Sequence, residues 1–248
     1  METGGSGKTL FINQFMYLVK NVNIDNNIKS FRIDINKLKS IKDNNVLIYY
    51  DAWENDNHIE PLESLIYNIL NIYPEYKNIV VNKFQIEEAL KEILNLLTKI
   101  LSNKLFNIDF NSENIDKIKT FEDLSKEIIT KEEKKKLFKQ LINKILDKKR
   151  MILIVDELDR CNPIYACNLL EVIYHFFNLD NITIITVANN TELVHTIQKK
   201  YGNNYDGYGY LNKFYDFIIT LDCRNMKRIF NEIIRNFGRK IFATLYCF

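Results

Sequence analysis

The sequence predicts an α/β fold: a three-layer sandwich with a mainly parallel sheet and a helical insertion. Three observations predict it. Residues 151–155 and 182–188 are short runs apolar on both faces, as expected of strands buried between two layers. Each is followed by a segment with helical rhythm, and alternating strands and helices build parallel sheets. A long stretch at about 84–149, rich in Lys, Glu and Asn, carries helical periodicity alone.

The elements follow in order. Gly4, Gly5, Ser6 and Gly7 make a tight glycine turn. From Lys8 to about 22, apolar residues at Leu10, Phe11, Phe15, Met16, Leu18 and Val19 keep a helical spacing. Residues 23–45 are mixed and polar, with one short strand expected near 31–35. The apolar run 46–50 reads as a buried strand ending in Asp51-Ala52-Trp53. Pro61 suits the first turn of a helix over about 62–72, and Pro74 is expected to end it.

Within the insertion, Leu90, Ile93, Leu94, Leu97, Ile100 and Leu101 form one apolar face, and Leu137, Leu141, Ile142 and Ile145 another. The Lys-rich run 131–136 reads as a solvated helix face. Strand 151–155 runs into Asp156-Glu157. Asn162-Pro163 pairs a capping side chain with a proline at the first helical position, opening a helix to about 177. Strand 182–188 leads through Asn189-Asn190-Thr191 into a helix to about 199. A Gly/Tyr/Asn loop is expected at 202–210, a last strand at 214–221 and a last helix at 224–241.

Composition excludes several classes. The 248 residues carry 34 Lys plus Arg against 32 Asp plus Glu, a net charge of +2, so no basic field implies nucleic acid. With 46% hydrophobic residues, the chain is neither collagenous nor disordered. Cys161, Cys167, Cys223 and Cys247 include no CxxC pair, and His58, His175 and His195 match no zinc spacing. Reduced thiols, no run long enough to span a bilayer and no signal pattern together give a cytoplasmic reading.

Chemistry concentrates in three places. Gly4-Gly5-Ser6-Gly7-Lys8-Thr9 before a helix is a phosphate-cradling loop: backbone N–H groups face an anion, Lys8 reaches the outer phosphates and Thr9 can coordinate Mg²⁺. The position five before the Gly7-Lys8 pair, glycine in the usual pattern, is Glu2. Asp156 and Glu157 end a buried strand where ligands bind in parallel sheets. Asp156 would hold Mg²⁺ through water, and Glu157 would polarise the attacking water. Asn189 follows the next strand and can bond a γ-phosphate or the water; a helix cap is an equally good reading. Together they describe a P-loop NTPase with a separate catalytic glutamate. Asn212-Lys213-Phe214-Tyr215 lacks the acid a guanine-reading string needs, so ATP is the expected nucleotide.

The chain resembles the KAP family of P-loop ATPases in four segments: 5–9, 49–69 (YYDAWENDNHIEPLESLIYNI), 152–161 (ILIVDELDRC) and 210–221 (YLNKFYDFIITL). The resemblance implies ATP and Mg²⁺ as ligands and carries Lys8, Thr9, Asp156 and Glu157 onto their positions. It also implies a setting in phage defence or mobile elements. Relatives often carry transmembrane helices in the insertion; here it is too polar to span a bilayer. Asp159 and Arg160 match the family string. Arg160 is expected either to act on a neighbouring subunit's γ-phosphate or, the better reading, to pair with Asp159 or Asp156. Trp53 is expected either to pack beside the site or, the better reading, to fill core.

Only Met1, Glu2 and Thr3 precede the glycines, so a KAP-type domain over 1–248 is expected to lack the strand before its loop. That would expose the edges of two neighbouring strands. Two other functional readings stand beside ATP hydrolysis: a non-catalytic nucleotide-binding signalling or scaffold module, and an inactive fragment of a longer ATPase. The helical insertion offers surface for a protein partner or a homo-oligomer.

Overall fold

The computed structural model describes residues 8–21, 35–57, 60–77, 131–221 and 240–245. The chain divides into two compact units, one formed by residues 1–72 with 149–248, the other by 73–148. In the first unit lie α1 (Lys8–Asn21), α2 (Ile35–Asn44), β1 (Asn45–Asp51) and the start of α3 (Pro61–Lys77). It continues with β2 (Arg150–Asp156), a 3-10 turn (Leu158–Arg160), α5 (Pro163–Phe176), β3 (Ile182–Ala188), α6 (Asn190–Tyr201), α7 (Gly207–Leu211), β4 (Phe217–Leu221) and β5 (Lys240–Leu245). The second unit holds α4 (Lys131–Leu146), whose Phe138, Leu141 and Ile142 are fully buried.

The sheet is parallel throughout, in the order β1-β2-β3-β5-β4. Every residue of β3 and all but the first of β2 are buried, as a sheet covered on both faces requires. Strand parity sorts the core. Leu47, Ile152, Ile154, Ile185, Val187 and Ile219 face one way and pack with Phe11, Ile12 and Phe15 of α1 and with Leu38 and Ile41 of α2. The opposite parity carries Tyr50. Its hydroxyl donates to Ser64 Oγ of α3 at 2.8 Å and lies 2.5 Å from the Tyr165 hydroxyl of α5. Helix, sheet and helix therefore form the three expected layers.

Several boundaries differ from the sequence reading. Ile35 opens a helix; residues 31–34 of the strand expected there lie outside the described residues. Pro74 does not end α3, which runs on to Lys77. A proline there removes the hydrogen bond to the Leu70 carbonyl without forbidding one further turn. Gly207–Leu211 is a short helix within the expected loop, started by Asp206, whose side chain accepts from the Gly209 N–H at 2.9 Å. The strand expected from 214 begins at Phe217 and is not the last. Lys240 and Ile241, expected to end a helix, begin β5; residues 222–239 lie outside the described residues, as do the insertion helices expected between 84 and 130. Among the described strands, β5 occupies the position between β3 and β4 and pairs with both.

Asn162 caps α5 as its sequence suggests, its side chain accepting from the Ile164 N–H at 3.0 Å ahead of Pro163. Asn162→Ala is expected to cost about 1 kcal/mol. A thermal midpoint lower by about 2–4 °C would register it; an unchanged midpoint would contradict the cap's contribution.

Cys167, fully buried on α5, gives a pH dependence. Burial pushes its thiol up from 9.0 to about 11, although the Lys200 ammonium pulls the other way. The unfolded thiol thus loses its proton first as pH rises, favouring the unfolded state. Stability is expected to fall between pH 9 and about pH 11, and Cys167→Ala should remove part of that slope. Urea midpoints measured across this range check it; equal slopes in both proteins would reject it.

Candidate functional site

Parity aims the first acid. Ile152 and Ile154 of β2 face α1, and Asp156, two residues on, shares their face. Asp156 is completely buried. Its Oδ1 accepts the Glu157 N–H at 2.9 Å, and its Oδ2 accepts the Tyr49 hydroxyl at 3.3 Å. Burial, and next the Asp156 charge, raise the Tyr49 phenol, so it stays a donor throughout the ordinary pH range. Tyr49 was not legible as a site residue, although it belongs to the same parity set as Leu47.

The cation comes from α1. Lys8 opens that helix, and its Nζ donates to Asp159 Oδ2 at 3.1 Å. The two side chains are 9% and 8% exposed, so this is a buried ion pair. The other oxygen of Asp159, Oδ1, is buried without a hydrogen-bond partner among the described residues. Thr9 lies in the first turn of α1. Gly4, Gly5, Ser6 and Gly7 lie outside the described residues.

Glu157 leaves the strand in a left-handed conformation, φ 59° and ψ 24°. Residues other than glycine seldom adopt it, and such positions cost of order 1–3 kcal/mol unless their surroundings impose them. Here the turn imposes it. The Glu157 carbonyl accepts the Arg160 N–H at 3.1 Å and the Cys161 thiol at 3.6 Å. Burial, then the charge of Asp56, pushes that thiol far up, so it remains protonated. The Glu157 carboxylate pairs with Arg160 Nε at 2.5 Å. This corrects the expected pairing of Arg160 with Asp159 or Asp156: Asp159 is turned to Lys8, and Arg160 holds Glu157.

Trp53 does not fill core. It is 52% exposed, and the Arg160 guanidinium carbon sits 5.6 Å from its ring centroid. Side chains of the β1–α3 segment fix that position. Asn55 Nδ2 donates to the Asp51 carbonyl at 2.7 Å, and Ser64 Oγ donates to Asn55 Oδ1 at 3.1 Å. Asp51 Oδ1 accepts the Glu54 N–H, and Asp56 Oδ2 accepts the Asn162 N–H at 3.0 Å. The segment is thereby tied to the start of α5, beside the 3-10 turn.

Asn189 is the N-cap of α6: its Oδ1 accepts from the N–H groups of Thr191 and Glu192 at 3.1 and 3.4 Å. The cap uses the side-chain oxygen and leaves the amide NH₂ to donate. Register places Asn189 at the same end of the sheet as Asp51 and Asp156, since Asp51 pairs with Asp156, and Asp156 with Val187.

The donor set suits Mg²⁺. Among the described residues no three His, Cys, Asp or Glu side chains are grouped to hold a metal, and the site's own acids offer carboxylate oxygens only. Mg²⁺ prefers such oxygens, keeps several waters and takes its remaining ligands from phosphates. A buried Asp156 fits that sparse coordination. A lysine at the start of a helix suits the phosphates themselves.

No described helix is long and apolar enough to cross a membrane. Comparison with the curated proteins found no match. The model of the KAP family P-loop domain matches residues 4–239, from Gly4 to the residue before β5. A match over nearly the whole chain, on a parallel sheet with Lys8 and Asp156-Glu157 at one end, means that the chain belongs to the KAP family of P-loop domains.

Proposed function

We propose that this domain binds ATP with Mg²⁺ and hydrolyses it. The observation that carries the reading is the meeting of Lys8, from the start of α1, with Asp159, three residues beyond the acid that ends β2. Family membership implies nucleotide binding; ATP as the nucleotide, and hydrolysis, are the finer steps proposed here. Lys8 would take the outer phosphate oxygens, while Thr9 and Asp156 would hold Mg²⁺, which supplies charge neutralisation on those oxygens when bound. Glu157 would accept a proton from water as the water oxygen attacks the γ-phosphorus. The bond to the β–γ bridging oxygen breaks, and ADP and phosphate leave. Asn189, through its amide NH₂, would donate to the γ-phosphate or the water. The two compact units agree with a KAP-type domain interrupted by an insertion. A setting in phage defence or mobile elements rests on the family resemblance alone.

Steady-state release of phosphate from ATP, with and without EDTA, tests the reading. Metal-dependent turnover supports it. Binding without turnover would favour a second reading, a nucleotide switch, for which one observation speaks: the Glu157 carboxylate is already held by Arg160. No binding at all would reject both.

A further inference from the structure

The 3-10 turn Leu158–Arg160 carries two adjacent opposite charges, and each holds one working group of the site. Asp159 holds the Lys8 ammonium, and Arg160 holds the Glu157 carboxylate. The first pair is buried at both ends; the second has Glu157 10% and Arg160 48% exposed. Both functional groups are thus paired with counter-charges. We propose that this turn is a double latch: Asp159 and Arg160 are positioning residues that keep Lys8 and Glu157 from acting until nucleotide and a shift of the turn release them. The inference rests on the nucleotide reading above.

The physics of the two halves differs. Phosphate oxygens compete with Asp159 for Lys8. When they win, a carboxylate is left buried beside a polyanion, which opposes binding. Asp159 therefore weakens nucleotide affinity. Arg160 acts on the base instead: while its guanidinium is seated on Glu157 Oε2, that oxygen is occupied and not open to a water. It restrains turnover rather than binding. Arg160 is the exposed member and rests against half-exposed Trp53, so its side chain is the end of the latch that can swing away without unpacking the core.

The test separates binding from turnover. Asp159→Asn is expected to tighten the Kd for Mg·ATP about tenfold or more, the scale of losing one charge-assisted bond that binding must break. Asp159→Glu, which restores the carboxylate, should return the weaker affinity. Arg160→Gln should raise kcat at saturating ATP, with Kd moving less than kcat. Unchanged or weaker binding by Asp159→Asn overturns the first half. A lower kcat in Arg160→Gln overturns the second, and would mean that Arg160 works on the phosphate.

Should Asp159→Asn fail to fold, the natural sequence supplies the readout. Acetic anhydride labelling followed by peptide mass measurement should modify Lys8 far more slowly than exposed Lys20. Equal rates would overturn the latch. If the natural protein binds neither Mg·ATP nor inorganic tripolyphosphate, the nucleotide reading fails and the latch falls with it. That outcome is distinct from normal binding with no response to Asp159→Asn.

Discussion

Glu157→Gln is expected to bind Mg·ATP and to hydrolyse it about 10²–10⁴-fold more slowly, the range for losing a positioned base. The substitution keeps the side chain's size and removes its capacity to take a proton. The backbone bonds that hold residue 157 left-handed come from its carbonyl, to the Arg160 N–H and the Cys161 thiol, so they survive the change. The ion pair to Arg160 does not. Because the Arg160 end of that pair is half exposed and can return to water, its loss should move the thermal midpoint little. Phosphate release and equilibrium binding, measured side by side, check the prediction. Unchanged turnover would remove Glu157 from the chemistry; lost binding would show that the variant had disturbed the turn.

Lys8→Ala is expected to abolish measurable nucleotide binding and also to destabilise the fold. Removing one partner of a buried ion pair leaves the other charge buried and uncompensated, which costs about 3–5 kcal/mol. A failed binding assay on this variant alone would then be ambiguous. Lys8→Ala combined with Asp159→Asn removes both charges and should recover most of the lost stability without recovering binding. Calorimetric titration with Mg·ATP and thermal unfolding of both variants decide it. Retained affinity in the double variant would mean that Lys8 does not grip phosphate. Unrecovered stability would mean that the pair is not what the single substitution broke.

The apolar strands were legible because burial on both faces leaves an unbroken run in the sequence, as at Leu153 or Ile184. The Asn162 cap and Pro163 were legible because their chemistry is local. β5 was not. Lys240 to Leu245 mixes a charge and a threonine with its apolar residues, and its neighbours in the sheet are remote in the chain. Of the two readings of Trp53, the core one fails for a related reason: a single aromatic residue carries no periodicity to say which face it takes. The acids at the end of β2 were read as a pair with one task each. The partner of Asp156 came from across the sheet, Tyr49, and Lys8, from the far start of the chain, met Asp159 in the turn beyond them. Sequence spacing does not report such contacts, whereas Arg160, three residues from Glu157, lay within reach of a turn.

The position of β5 also sets when the sheet can close. Ile184 of β3 pairs with Lys240, and β4 reaches the sheet only through β5. Pairings of such long sequence separation carry a large loop-closure cost and form slowly. As the chain is synthesised, β1, β2 and β3 can assemble, while β4, already made, has no strand to bond until residues 240–245 emerge. Docking of β5 is therefore a late step, and until it occurs the growing chain presents an open parallel edge that chaperones, or a second nascent copy, would meet first.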